Sequence, residues 1–246
     1  MNALLAAEFL KLRTTRTVWA LLAATLAVTA LAVAGVIAAV ADSAVLSLES
    51  ETGVRTVLHV SASGALFVLV LGVIISAGEY RQGTATDTFL TTPRRWLVIV
   101  AKLITGATAG VLFGALAASV AIGVASALYA LEGYAFPLGS SEAWSILAGA
   151  VLYAALFGAL GAATGSLVRN QVGAIVGWLA WLFVVETIVI GFVPAVGRWL
   201  PAAAGRALVR DPSGDLLSQP LAAVVLAIYA IVIMTTAVGV ERRRDA

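Results

Sequence analysis

The sequence contains no cysteine and only one histidine. Without cysteine the chain can form no disulfide, thiolate metal site or cysteine nucleophile. His59 is surrounded by no His-Glu-x-x-His motif and no cluster of ligands, which argues against a zinc site. Ser61 and Ser63 lie nearby, but there is no Gly-x-Ser-x-Gly motif and no acidic residue placed to orient an imidazole. We therefore interpret His59 as an interfacial residue near the outer end of a membrane span.

Lysine is almost as scarce, because Lys11 and Lys102 are the only two in the chain. Neither lies in a phosphate-binding loop, and no Gly-x-x-x-x-Gly-Lys-Ser/Thr motif exists. We expect no ATP hydrolysis by this chain, and no catalytic residue, bound cofactor or metal of its own.

Charge of either sign is also sparse. Of 246 residues 61% are hydrophobic and 11% are charged, with a mean hydropathy of +1.04, whereas soluble domains carry about 25% charged residues. Several apolar runs exceed the roughly 18 residues of a membrane-spanning helix. We predict an all-α integral membrane protein, a single transmembrane domain over residues 1–246 without a soluble domain at either end. The six predicted spans are Thr17–Ala41, Thr56–Ala77, Leu97–Leu131, Ala143–Val168, Gln171–Val193 and Leu221–Val240.

The basic residues lie at the ends of these apolar runs, which is typical of membrane topology and not of nucleic-acid binding. Only four of the 15, Arg55, Arg198, Arg206 and Arg210, fall on the proposed outer side. This asymmetry predicts cytosolic termini and a cytosolic loop over residues 79–96.

The N-terminal segment, residues 1–16, is predicted to be a helix lying along the lipid headgroups. Its apolar face holds Leu5, Phe9 and Leu12, and another face holds Glu8, Lys11 and Thr15. The alternative is a cytosolic extension of the first span.

The loop at residues 79–96 contains signals for a short helix of its own. Thr84 and Asp87 form a Thr-x-x-acid start, and Phe89 lies one turn after Ala85 on the apolar face. Pro93 suits the first turn of the next helix. The alternative is an ordinary loop whose arginines anchor it at the membrane surface.

The helix starting at Pro93 is too long for a bilayer. From Pro93 to Leu131 it would measure nearly 60 Å at about 1.5 Å per residue. We expect its first turns, including Lys102, to project into the cytosol.

Small residues recur every four positions in three spans, a spacing that allows helices to approach closely. The motifs are Gly106, Gly110 and Gly114; Gly161 and Gly165; and Gly173 and Gly177. We interpret them first as contacts within the chain and second as a dimer seam.

Glu186 is an ionisable residue inside the fifth span, where a carboxylate is costly and needs a partner. Two roles remain open, a group on a substrate or proton path and a structural hydrogen bond. The outer segment 194–220 contains four prolines, and Pro201 predicts a short helix over Ala202–Arg210. A helical hairpin dipping into the outer leaflet and a solvated loop are both compatible with it.

Three stretches together resemble the membrane subunits of ABC-2 type transporters, permeases that work with a separate ATP-binding subunit. The first is Ala7-Glu8-Phe9-Leu10-Lys11-Leu12-Arg13. The second is Glu79-Tyr80-Arg81-Gln82-Gly83-Thr84 followed by Thr91-Thr92-Pro93-Arg94-Arg95. The third is Trp199-Leu200-Pro201-Ala202. Their order and placement match that family over essentially the whole chain.

The resemblance implies that the loop carries a cytosolic coupling helix that docks on the ATPase. The positions carried over are Glu79, Arg81, Gly83, Thr84, Asp87 and Phe89. It also implies two copies of the chain in a complex with two ATPases, which bind ATP and magnesium, and an outer hairpin that covers the exit path. The expected function is export of a hydrophobic or amphipathic substrate across a bacterial plasma (inner) membrane.

Other functions remain open at this stage. One is a stand-alone secondary transporter with Glu186 as proton relay, although no convincing internal repeat is visible. Another is an immunity-type membrane protein that acts by binding, and a membrane enzyme has the least support.

Overall fold

The computed structural model describes residues 1–43, 47–48, 50–83 and 95–243. In these ranges the regular structure is helical throughout. The helices are α1 (Asn2–Thr14), α2 (Arg16–Ala41), α3 (Glu51–His59), α4 (Ala65–Gln82), α5 (Arg95–Leu131), α6 (Ser141–Val168), α7 (Gln171–Ala180), α8 (Glu186–Phe192), α9 (Pro194–Gly197), α10 (Pro201–Leu208) and α11 (Gln219–Arg243).

Six helical segments of the described chain are long and apolar enough to cross a membrane, which confirms the predicted number. They are Arg16–Ala41, Glu51–Arg81, Trp96–Leu131, Ser141–Val168, Gln171–Phe192 and Gln219–Glu241, and we number them spans one to six. We call the end of the bundle that holds α1 and the start of α5 the basic end. The other end, which holds α9 and α10, is the hairpin end.

Span four (α6) is the centre of the bundle. About 72% of its most apolar stretch is buried, against 6% for span five. It packs against α4, α5, α10 and α11, and Phe157 and Leu160 lie in the main hydrophobic cluster. Such a position requires small residues, because several helix backbones must approach one helix at once.

The predicted glycine motifs of spans three and four make this approach possible. A Cβ added at Gly106 would lie 2.5 Å from the carbonyl oxygen of Gly158, and one added at Gly161 would lie 2.0 Å from that of Leu69. These motifs therefore serve contacts within the chain. Gly177 of span five differs, because a Cβ there would meet nothing within 4 Å.

Span two is longer than predicted and is interrupted about a third of its length from the hairpin end. The helix α3 ends at His59, a 3₁₀ turn covers Val60–Ala62, and α4 starts at Ala65. Gly64 lies in the interruption, where a Cβ would come within 2.4 Å of the Thr25 side chain of span one. The interruption is thus packed against span one, and His59 lies beside it, well inside the end of the span.

The N-terminal helix contacts the bundle through Glu8 and through Leu12 of its predicted apolar face. Glu8 is 4% exposed whereas Leu10 is 61% exposed. Glu8 is buried because the bundle offers it basic partners, which amphipathicity alone cannot reveal. The helix also ends before Thr15, whose backbone is extended, and α2 starts at Arg16.

The segment between spans five and six contains two short helices, α9 and α10. Both begin at prolines, as the fixed φ of proline favours in a first helical turn. Most of α10 is buried, and Gly205 lies directly on the ring of Tyr153 in α6. This helix is therefore part of the packed bundle.

Candidate functional site

Four charged side chains meet at the basic end, and we call them the basic-end cluster: Glu8, Lys11, Glu79 and Lys102. The Lys11 Nζ lies 2.8 Å from Glu8 Oε1 and 2.5 Å from Glu79 Oε1. The Lys102 Nζ lies 3.3 Å from Glu8 Oε1 and 2.8 Å from Glu79 Oε1. Each lysine thus contacts both carboxylates, and the four formal charges cancel.

The cluster joins three separate elements. Glu8 and Lys11 come from α1, Glu79 from the last turn of span two, and Lys102 from the second turn of span three. Lys102 also donates a hydrogen bond to the carbonyl oxygen of Ile75, at 3.2 Å. The chain that leaves span two at Gly83 and returns at Arg95 is therefore joined to the cluster through the last turn of span two and the first two turns of span three.

Three of the four members are almost inaccessible to solvent, since Glu8, Glu79 and Lys102 are 4%, 8% and 4% exposed. Lys102 is not exposed to solvent, because its ammonium group is buried between two carboxylates. Its projection into the cytosol stays a prediction. A buried charge of this kind is tolerated only when it is paired.

Lys11 is the accessible member of the cluster. Partial burial by itself lowers its pKa, but the hydrogen bonds and charges of Glu79 and Glu8 outweigh this effect and raise the pKa above the ordinary lysine value. Lys11 is therefore positively charged at physiological pH and holds the two carboxylates together from the solvent side.

Of the six residues carried over from the resemblance, three lie in the described chain. Glu79 pairs with both lysines. Arg81 is exposed one half-turn later. Gly83 ends α4 in the left-handed conformation, with φ 73°, and its N–H binds the carbonyl oxygen of Glu79. The other three, Thr84, Asp87 and Phe89, and with them the predicted coupling helix, lie outside the described residues.

The basic end has a second ion pair, which the sequence did not predict. Arg169, in the left-handed conformation at the end of α6, forms an ion pair with Glu241 of span six. Its guanidinium also lies 5.0 Å from the ring centroid of Tyr80 in span two. The feature of the sequence that could have indicated this pair is Glu241, a single acid at the end of an apolar run.

Glu186 lies at the hairpin end and is 0% exposed. Its Oε2 accepts a hydrogen bond of 2.8 Å from the backbone N–H of Ala202, in the first turn of α10. A carboxylate is favoured there because the first N–H groups of a helix lack partners inside the helix. Glu186 Oε1 is buried without a hydrogen-bond partner among the described residues.

A π-helical segment, Trp181–Val185, directly precedes Glu186. Such a segment inserts one residue into the helical repeat and so changes which side of the helix the following residue faces. No residue pattern predicted this segment, since its residues are uniformly apolar. Glu186 follows it and is buried, whereas Val184 and Val185 are exposed.

The other end of α10 is held by span six. The Gln219 side chain donates a hydrogen bond of 2.6 Å to the carbonyl oxygen of Leu208, and its own oxygen accepts one of 2.8 Å from Ser145 of span four. The helix α10 is thus capped at its start by Glu186 of span five and at its end by Gln219. Both caps come from the membrane spans themselves.

Ion pairs complete the hairpin end. Arg55 of span two lies 2.5 Å from Glu142 at the start of span four, and Arg210, just after α10, lies 3.5 Å from the same carboxylate. Arg206 and Asp211 form a separate pair at 2.6 Å. In the described residues, no group of three or more His, Cys, Asp and Glu side chains could hold a metal ion.

The fold is that of a polytopic helical membrane protein. Ion pairs and hydrogen bonds hold its membrane spans together at both ends of the bundle. A family model described as ABC-2 family transporter protein matches residues 4–185. The match covers most of the chain, which therefore belongs to the ABC-2 transporter family and is a permease-type membrane protein. No curated protein matches the sequence.

Proposed function

We propose that this chain is the permease subunit of an ABC exporter that moves a hydrophobic or amphipathic substrate outward across a bacterial plasma membrane. ATP and magnesium are bound by a separate ATPase subunit, since the sequence contains no nucleotide-binding motif. Both termini and the loop at residues 79–96 lie on the cytosolic side, which is the basic end of the bundle.

The observation that carries this proposal is the basic-end cluster at the base of that loop. A force applied to the loop acts on Glu79 before it and on Lys102 after it, and these two side chains are in direct contact. Through Glu8, the same contact includes α1. The cluster thus provides a mechanical connection between an ATPase docked on the loop and spans one to three.

A second copy of the chain fits the proposal, and α7, the part of span five nearest the basic end, is the surface we assign to it. Span five has the least buried apolar stretch of the six spans, and the predicted Gly173–Gly177 spacing is not used inside the chain. Val172 and Val176, 63% and 57% exposed, extend the same surface. Small residues beside valines are typical of close helix pairs in membranes.

The stand-alone transporter is less well supported by the geometry. A proton relay needs Glu186 to exchange protons with neighbouring groups along a path. Instead its carboxylate caps α10 through Ala202, which is an anchoring role. Its unpartnered Oε1 keeps a role on a substrate path open, and the Glu186 variants described below separate the two roles.

The decisive experiment tests the loop directly. We expect Phe89→Ala to reduce co-purification with the cognate ATPase and to reduce transport, because an apolar interface anchor contributes on the order of 1–3 kcal/mol. Membrane insertion and yield should stay at the wild-type level. Tyr134→Ala is the matched control, since Tyr134 is an aromatic residue at the opposite end, 41% exposed. Wild-type co-purification and transport by Phe89→Ala would contradict the coupling role of the loop.

A further inference from the structure

A cavity of about 280 Å³ opens inside the hairpin end, and we call it the hairpin cavity. It is open on one side and is bounded by the interruption of span two, by span four, by the π-helical segment of span five and by α10. Residues from each of these parts line it: His59, Ser63, Tyr153, Phe183, Ala202 and Arg206.

Three departures from regular α-helix meet around this cavity. The 3₁₀ turn Val60–Ala62 forms one wall, and the π-helical segment Trp181–Val185 contributes to another. The third is the break in the helix before α10, which starts at Pro201, next to the lining residue Ala202. Irregular backbone at membrane depth is tolerated where it is buried in protein or lines a cavity. π-helical turns occur frequently at functional sites.

The interruption in span two is closely packed, because Gly64 leaves room there for Thr25 of span one. The hydrogen bonds of the turn are satisfied locally, with Ser63 N and Oγ both donating to the carbonyl oxygen of Val60, at 3.0 and 2.6 Å. The wall of the cavity is therefore a preformed feature of the fold.

The lining is divided into a polar and an apolar part. At the polar part, His59 Nδ1 is buried without a partner among the described residues. Arg206 uses Nε and Nη2 in its described hydrogen bonds, to Asp211 and Ser213, and Nη1 takes part in none of them. Asp211 also lines the cavity and already pairs with Arg206 through Nε. The nitrogens that remain for an occupant are His59 Nδ1 and Arg206 Nη1.

The apolar part is formed by Leu66, Phe157, Leu182 and Phe183. Phe183 is 64% exposed and lies on the outer surface of span five. In a bilayer that surface is in contact with acyl chains. An occupant can therefore extend from the polar groups past Phe183 into the lipid.

We propose that the hairpin cavity binds an amphipathic molecule from the outer leaflet that carries an anionic oxygen headgroup, a phosphate or a carboxylate. The headgroup accepts hydrogen bonds from Arg206 and His59, and the apolar portion lies along Phe157, Leu182 and Phe183. Ligand pockets usually measure about 300–1,000 Å³. The hairpin cavity, at about 280 Å³, lies just below this range, so it takes a headgroup and the first part of a chain while the remainder lies in the bilayer.

The relevance of this site to transport rests on the proposed function, because the cavity would then hold cargo or lipid beside α10. Binding itself does not depend on an ATPase. It can therefore be measured on the chain alone, and its failure would leave the permease assignment untouched.

The test uses the purified full chain in nanodiscs that contain a trace of phosphatidylglycerol with a diazirine at the start of one acyl chain. After illumination, labelled peptides are located by mass spectrometry. We expect labelling near Leu66 and Phe183, and competition by unlabelled phosphatidylglycerol but not by a diacylglycerol with the same chains. Inorganic phosphate should not compete, because it lacks the apolar portion.

Two variants and one control identify the site. Ala202→Phe fills the cavity without removing a polar group, and Arg206→Gln removes the charge. Each variant should reduce about tenfold the labelling that unlabelled phosphatidylglycerol competes away. Arg206→Gln loses one charge-assisted hydrogen bond, and Ala202→Phe loses the space for the ligand. Arg198→Gln is the matched control, because Arg198 also pairs with an aspartate, Asp215, but does not line the cavity. It should label like the wild type.

The outcomes are distinguishable. Equal labelling in the wild type and Ala202→Phe would overturn the proposal, because Ala202→Phe leaves the polar groups in place. Competition by the diacylglycerol would overturn the headgroup assignment, and competition by inorganic phosphate would indicate an anion site instead of an amphiphile site. Gel filtration of each variant checks that the chain is folded.

Discussion

Removing Lys102 is the sharpest test of the basic-end cluster. In Lys102→Met, Glu8 and Glu79 keep only Lys11, so two carboxylates that are 4% and 8% exposed share one cation. Removing one partner of a buried pair typically costs about 3–5 kcal/mol, because a charge stays buried without compensation. Lys102→Arg keeps the charge and should cost much less.

A double-mutant cycle separates charge pairing from packing. Adding Glu8→Gln to Lys102→Met restores a one-to-one balance between Glu79 and Lys11. We therefore expect the double variant to be more stable than the sum of the single variants predicts, by roughly 1–3 kcal/mol. The assay is thermal inactivation of the detergent-solubilised chain, followed by gel filtration.

The control is Arg198→Met at the hairpin end, where Arg198 pairs with Asp215 in solvent. Exposed pairs contribute at most about 1 kcal/mol, so this variant should behave almost like the wild type. A Lys102→Met chain as stable as Arg198→Met, or strictly additive effects in the cycle, would refute the idea that the cluster stabilises the basic end.

The remaining predictions concern the hairpin end and the topology. Glu186→Gln keeps an acceptor for the N–H of Ala202 and should leave abundance near wild type, whereas Glu186→Leu should lose about 1–3 kcal/mol of stability; altered transport by the glutamine variant would instead indicate a role on the substrate path. Partial burial raises the pKa of Asp211, but hydrogen bonds from its arginine and serine partners outweigh this and hold it below the usual aspartate range. The ionised Asp211 therefore contributes its full stabilisation above about pH 3.9, the pKa of an unfolded aspartate, and this stabilisation is lost as the pH falls through the lower pKa of the folded state. Asp211→Asn should abolish this acid sensitivity in a thermal melt. In the cysteine-free chain, Asp215→Cys should react with an impermeant maleimide in intact cells and Thr14→Cys only after permeabilisation; the reverse pattern would contradict the proposed orientation.

The spans were predictable because each depends on a local property, an apolar run of sufficient length. The start of α10 was predictable for a similar reason, since Pro201 fixes a backbone angle whatever surrounds it. Gly106 and Gly161 were also informative, because glycines at regular spacing allow a neighbouring helix to approach closely in any context.

The candidate site was less predictable because it consists of contacts between distant positions. Lys102 and Glu8 are 94 residues apart in sequence. A helical wheel places Glu8 on one face of α1 with Lys11, but it cannot include a lysine from span three. The π-helical segment before Glu186 was invisible for a different reason, because it depends on packing around the helix and not on a residue type.

The confinement of lysine to the basic-end cluster has a practical consequence. Apart from the N-terminus, the amines of this chain are Lys11 and Lys102, and one is half-exposed while the other is buried. An amine-directed acylating reagent therefore modifies Lys11 readily and Lys102 only when the cluster opens. The ratio of the two modified peptides would then serve as an intrinsic chemical reporter of movement at this end of the protein, without any introduced label.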